Sequence, residues 1–294
     1  MKYVLLMLVF FLANITNAFT QEYEWGYRFT VGQKFTYKVE FDIQALSNIS
    51  GSHNNSELIS FRVIQVDKDG SITFQIWEQK SSNIDSMVVI GSEATGAQVM
   101  SRTTTHLDGS EATITMTRYG EFVHGTYHKP SASLLEMRKM RLADTSEFGK
   151  TSAKKHSEEN QLKSTLEFYF PKLKSTEKIS QEDQWKDSVG QEKKSYTLQD
   201  GNLVANGTKS NHYDVKEYRY IKDTLIDGID CMKVLLVQNV RQAMGKDRTF
   251  SAQIDGYLYF RKSNGMLLLK EVNGSYFNNG EMINVLRNYQ KLEK

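Results

Sequence analysis

Only one cysteine, Cys231, and two prolines, Pro130 and Pro171, occur in the 294-residue chain. A single cysteine excludes an internal disulfide framework and a zinc site built from clustered thiolates. Neither charge dominates: 37 lysines and arginines face 35 aspartates and glutamates, a net +2. A protein that tracks phosphates needs a basic surplus on some face, so bulk charge offers no nucleic-acid partner. Long apolar runs are missing too. The longest, Tyr3 to Ala13, has eleven residues before Asn14, against the roughly 20 that a membrane span needs.

Catalytic signatures are absent or incomplete. Gly149-Lys150-Thr151 has the end of a phosphate-binding loop, but Asp144 stands where that loop needs glycine, and its charge repels phosphate. Ser152-Ala-Lys-Lys155 has the Ser-x-x-Lys spacing of penicillin-binding enzymes without their Ser-Asp-Asn and Lys-Thr-Gly partners. His124 and His128 read as strand residues, which places them about 13 Å apart, too far to share one metal ion. Asp67-Lys-Asp69-Gly70 lacks the further ligands of a calcium loop and reads as a hairpin turn. Asp223, Asp227 and Asp230 read as turn formers, and Cys231 as a small buried hydrophobe. No catalytic residue, metal ligand or cofactor is assigned, and the chain is expected not to be an enzyme.

What the chain does have begins at Lys2. A basic residue, the eleven-residue apolar run and small residues at Thr16 and Ala18 form the three-part layout of a secretory signal. Cleavage after Ala18, or shortly later before Gln21, removes Lys2 and leaves 294 − 18 = 276 residues with a net charge of +1. The mature chain is expected to be exported, periplasmic or extracellular, with no membrane span.

Strand patterning dominates the rest. Phe35, Tyr37, Val39, Phe41 and Ile43 alternate with polar residues, the period-2 signature of a strand with one wet face. Ile59–Val66 and Ile72–Ile76 flank Asp67–Gly70 as a hairpin. Shorter strands are expected near 86–90, 98–105, 112–118 and 121–127. Leu134, Leu135, Met137, Met140 and Leu142 then give residues 131–143 a greasy helical side, with Leu135 expected to be buried against the sheet. Leu162, Leu166 and Phe170 suggest a second short helix ending at Pro171. Five more strands follow, near 211–223, 229–241, 248–261, 265–277 and 281–291. Their turns are Asp227-Gly228, Ser263-Asn264-Gly265 and Asn278-Asn279-Gly280, which favour positive φ. Val234–Val237 and Met266–Leu269 are apolar on both faces, so both faces must be covered. Only one long greasy helix is available, so either the sheet curls until its own halves meet or part of the inner face is left for a ligand. Leu235, Val237, Tyr259 and Leu268 are the candidates for the wall of that cavity.

Several short motifs carry a resemblance. Val31–Tyr37, Phe170-Pro-Lys-Leu173 followed by Gln184-Trp185, Ile226–Val234, and Gly256–Phe260 with Asn264–Leu267 resemble stretches of uncharacterised exported bacterial β-proteins. In that family a glycine opens the turn before the tryptophan; Glu182 stands there in this chain, so a slightly different turn is expected. More distantly the layout is similar to LolA-like lipoprotein-carrier half-barrels. That resemblance implies a curved sheet closed by helices around acyl chains, and it transfers no functional residue.

The expected fold is mainly all-β: a large curved antiparallel sheet or half-barrel built from two strand-rich halves, with one or two helices packed against it. Residues 1–18 form the signal and 19–294 a single domain, divided into strands at 30–128, a helical and polar connector at 131–170, and strands at 171–294. The expected function is non-catalytic binding of a lipid-like or other apolar ligand at the cell envelope. The alternatives are a structural or protein-interaction module with no small-molecule ligand, and last a hydrolase with an unrecognised site.

Overall fold

A computed structural model describes residues 23–46, 53–82, 87–90, 99–102, 109–130, 135, 139, 158–176, 178–199, 202–243 and 249–293. The signal segment and most of 131–157 therefore lie outside the described residues. In chain order the elements are β1 (Tyr23–Glu24), β2 (Lys34–Ala45), β3 (His53–Val66), β4 (Ile72–Ser82), β5 (Met87–Ile90), β6 (Val99–Arg102), β7 (Glu111–Met116) and β8 (Phe122–Lys129). Then come α1 (Glu158–Tyr169), β9 (Lys178–Ile179), β10 (Gln184–Gln199), β11 (Asn202–Ile226), β12 (Ile229–Ala243), β13 (Thr249–Arg261), β14 (Leu267–Asn278) and β15 (Glu281–Leu292).

Eleven strands form one open antiparallel sheet in the order β10-β11-β12-β13-β14-β15-β2-β3-β4-β7-β8. Two meanders meet where the last strand, β15, pairs with the first long one, β2. β5 and β6 form a separate hairpin, and β1 pairs with β9. Turn chemistry fixes the registers. Asp227-Gly228 and Asn279-Gly280 have positive φ at both residues, the two-residue turn that matches the twist of antiparallel strands.

On β2, Phe35, Tyr37 and Val39 are buried and Phe41 and Ile43 half-buried, with Lys34 and Asp42 exposed. The alternation thus sets the face as the sequence implies. α1 crosses that face. Leu162, Leu166 and Tyr169 are buried on its inner side, and Pro171 prevents its continuation. Gly125 on β8 admits the helix: a Cβ there would lie 2.9 Å from Leu162 Cδ1. Phe170 then packs among Tyr27, Phe29, Phe35, Tyr37, Phe61 and Phe74, at ring-centroid distances of 5.1 to 6.3 Å. The Tyr27 and Tyr37 hydroxyls donate to the carbonyls of Pro171 and Leu267, each at 2.8 Å. These phenols tie the helix exit to the segment ahead of β2, and β2 to β14.

Three features depart from the sequence reading. β10 and the first part of β11 extend the sheet by one long strand pair that carries no clear hydrophobic alternation. Leu135 and Lys139 are helical, but Leu135 is 42% exposed, so it is not the buried contact expected of the helix at 131–143; its helical neighbours lie outside the described residues. Glu182 keeps the left-handed conformation that glycine favours, with φ 71°. Its amide donates to the Tyr220 carbonyl at 2.9 Å, and its carboxylate pairs with Arg219, offsetting a strain of roughly 1–2 kcal/mol.

Phe170→Ala is expected to cost about 3–5 kcal/mol, because it empties the centre of the aromatic cluster. Leu135→Asp should change stability by no more than about 0.5 kcal/mol. Urea unfolding of the two variants checks both values.

Candidate functional site

α1 covers β2, β3 and β8 closely but stands off from the other half of the sheet. Between it and β11 to β15 runs a groove of about 420 Å³, within the usual range of ligand pockets, roughly 300–1,000 Å³. Phe168 of α1, Phe41 of β2 and Leu236, Ile254, Leu258, Val272 and Leu286 of the sheet make its apolar wall. The register explains the space. One cross-strand row reads Tyr218, Leu236, Gly256, Val272, Asn288, Phe41, and the next reads Lys216, Gln238, Ile254, Gly274, Leu286, Ile43. Gly274 omits a side chain that would project among Ile254, Leu286 and Tyr276, whereas Gly256 lets β14 come close: a Cβ there would lie 2.0 Å from the Glu271 carbonyl oxygen. Glycine inside a strand often marks close approach of another group.

Two further hollows are less suited to an apolar ligand. One of about 480 Å³ is lined by Arg28, Arg118 and Lys178 beside Tyr27 and Phe29. There the Arg118 guanidinium donates to the Trp25 carbonyl at 3.2 Å. The other, about 370 Å³, lies at the far ends of β12 to β14 beside Arg241 and Gln253.

Of the residues proposed for the cavity wall, Leu235, Val237 and Tyr259 lie on the opposite face of the sheet. Lys233, opposite Tyr259 in the register, places its ammonium 3.6 Å from the Tyr257 ring centroid and 5.7 Å from that of Tyr259. Their strand neighbours Leu236 and Leu258 are the ones that face the groove. Leu268 is buried beside the bulge between β13 and β14 and does not line the groove. Of the strand aromatics, Tyr218 and Tyr276 line it, while Tyr220 and Phe260 belong to the core.

Sequence reasoning missed the polar residues in this apolar setting. Lys270 follows the apolar run 266–269 and lines the groove with Lys216. Its ammonium lies 4.2 Å from the Phe168 ring centroid. A ring face favours the charged form, but burial, with the like charge of Lys216 added, prevails and pulls the Lys270 pKa down to about 7. Burial first, then Asp187, Asp214 and Glu167, pushes the Tyr218 phenol well up, and burial raises Tyr276. Asn288 lines the groove at 4% exposure, and Gln290, opposite Lys270 in the register, is wholly buried. Neither amide has a hydrogen-bond partner at its nitrogen or its oxygen. Further along Lys270's own row, buried Glu57 accepts the Tyr169 hydroxyl at 2.5 Å.

No group of three or more His, Cys, Asp or Glu among the described residues is placed to hold a metal ion. His124 and His128 face Thr115 and Thr113 of β7. Burial raises the Cys231 thiol to about 11, far from a reactive thiolate. No helix among the described residues is long and apolar enough to cross a membrane.

No protein-family profile matches the chain, and no curated protein does. Among solved structures it is similar to a Bacteroides fragilis protein of YmcC-like fold and inferred export, at 9% identity and a TM-score of 0.30, covering 92% of this chain and 98% of that one. It is also similar to a DUF1329 family protein of Desulfovibrio piger, at 10% identity and a TM-score of 0.24, covering 89% and 86%. Neither is described as a lipoprotein carrier. Likeness at this level supports no transfer of function.

The depressed Lys270 pKa sets a pH dependence. An unfolded lysine holds its proton to about pH 10.4, whereas folded Lys270 releases it near 7. Between those values the unfolded chain binds more protons, so Lys270's contribution makes stability rise with pH, by at most about 1.4 kcal/mol per unit. Below about pH 7 the contribution is flat. Urea midpoints at pH 7 to 10 should therefore climb relative to a Lys270→Met variant. Parallel curves for the two proteins would refute the assignment.

Proposed function

We propose that this chain is an exported, non-catalytic protein that binds a lipid-like or other apolar ligand in the groove between α1 and β11 to β15. One observation carries the reading. The same face is filled with aromatic rings over β2, β3 and β4, yet beside α1 over β11 to β15 it keeps an open trough walled by Leu236, Ile254, Val272 and Leu286, with no side chain at Gly274. An apolar trough of about 420 Å³ is stabilised by removing a chain from water, at about 0.8 kcal/mol per methylene before ordering costs. The signal-like segment at 1–18 supports export, and the envelope is where such a ligand would be met.

The interaction-module reading draws on a different feature. β8 and β10 are open sheet edges, and unpaired edges can accept a strand from a partner. That reading needs no ligand, so occupancy of the groove separates the two.

A Gly274→Leu variant provides the test. A Cβ at Gly274 would lie 3.2 Å from Ile254 Cγ1 and 3.6 Å from both Leu286 Cβ and Tyr276 Cε2, all groove-lining residues. The added isobutyl group should fill the trough. Titration with an uncharged fluorescent apolar probe, such as N-phenyl-1-naphthylamine, is expected to saturate at micromolar protein. In the variant the affinity should fall about tenfold or more, since a filled site loses contact area worth at least about 1.4 kcal/mol. No saturable binding by the parent protein would leave the interaction module as the reading.

A further inference from the structure

We propose that the groove is built for a monoanionic amphiphile, with the ionised acid head held by Lys270, Asn288 and Gln290 and the alkyl chain lying along Leu236, Ile254 and Val272. This inference rests on the groove reading and specifies the chemical class of its ligand.

Geometry places the three head-binding groups together. Lys270 pairs with Gln290 and Val272 with Asn288 across β14 and β15, so Asn288 and Gln290 are two residues apart on one strand and share a face. Asn288 is 4% exposed and Gln290 not at all, and all four of their amide atoms lack partners. Two side-chain amides and an ammonium offer several N–H donors, and a carboxylate is an acceptor through both oxygens. An alcohol head would satisfy fewer of them. A cationic head would be repelled by Lys216, and by Lys270 whenever it is protonated.

The charges around the site point the same way. Lys216 and Lys270 line the groove, and neither has an ion-pair partner among the described residues. Glu167 is the acid in the lining, and it lies 3.8 Å from Lys163 on its own helix. Asp187, opposite Lys216 on β10, lies 3.7 Å from Lys172. Asp214 accepts the Gln238 amide at 2.9 Å. Tyr218 and Tyr276 stay protonated, because burial raises both phenols. Glu57, three strands from Lys270 at about 14 Å, is engaged by Tyr169. With Lys270 protonated on binding, Lys216 and Lys270 against Glu167 leave the lining one surplus positive charge, which a monoanion neutralises.

Calorimetric titration of the mature protein at pH 8 with twelve-carbon ligands differing only in the head tests this. Dodecanoate should bind about tenfold or more tightly than dodecanol, the range of one or more hydrogen bonds to a charged group, and dodecyltrimethylammonium most weakly. Dodecanoate binding should also take up a proton, read from the dependence of the heat on buffer ionisation, because Lys270 is largely neutral at that pH before the anion arrives. Lys270→Met and, separately, Asn288→Leu should each collapse the dodecanoate-to-dodecanol ratio. Equal affinity for dodecanoate and dodecanol would overturn the head assignment while the groove reading stands. Tighter binding of dodecyl phosphate than of dodecanoate would overturn the monoanion, and binding without proton uptake would overturn the role of Lys270. Failure of every ligand to bind would sink both readings.

Discussion

Covering one face of an eleven-stranded sheet is the constraint from which the rest of this structure follows. Ten inter-strand spacings make such a sheet roughly 48 Å wide before twisting. A helix of twelve residues, α1, is about 18 Å long and 10–12 Å across. It cannot shield both meanders. The chain settles the matter unevenly. Tyr27 and Phe29, arriving from the N-terminal side, and Phe170, leaving the helix, complete a close-packed aromatic core over β2 to β4, while Trp25 packs on Trp185 and Phe260 of the second meander. The helix then spans the junction, and the second meander keeps an apolar trough.

Polar burial differs sharply between the two sides. Glu57 lies deep under the helix, but the Tyr169 hydroxyl satisfies it, and burial beside that carboxylate pushes the Tyr169 phenol well above its ordinary value. Asn288 and Gln290 have no such partner. Each orphaned amide costs on the order of 1–3 kcal/mol, and a lysine whose pKa is pulled to about 7 is itself unfavourably placed at neutral pH. Apolar residues at these positions would make a more stable sheet. Groups that cost stability and converge on a cleft are the usual mark of a site.

Much of the architecture was legible in the residues. The alternation at 35–43 named the buried face of β2, Asp227-Gly228 and Asn279-Gly280 marked their turns, and Leu162, Leu166 and Phe170 located α1. β10 was not legible, since Lys186 to Lys194 are mostly polar and a strand held by its neighbour's ladder needs no apolar period. The site was legible only in outline. Met266–Leu269 is buried throughout, as its two-faced apolar run implies, but Leu235 and Val237 are only half-buried, and such a run does not say which of its residues face inward. Register decides that, and it turns Leu236 and Leu258 to the groove where Leu235 and Tyr259 had been expected. Lys270, Asn288 and Gln290 gave no signal because each looks, in sequence, like the wet side of a strand. Glu182 shows a related limit: an ion pair and a backbone hydrogen bond hold a non-glycine residue where the local rule calls for glycine.

The central claim is that an alkyl chain occupies the trough beside α1. Anomalous diffraction from crystals grown with a terminally brominated dodecyl alcohol would locate the chain directly. The account predicts a bromine peak enclosed by Leu236, Ile254, Val272 and Leu286. A trough closed by the protein's own side chains, with no bromine in it, would contradict the account.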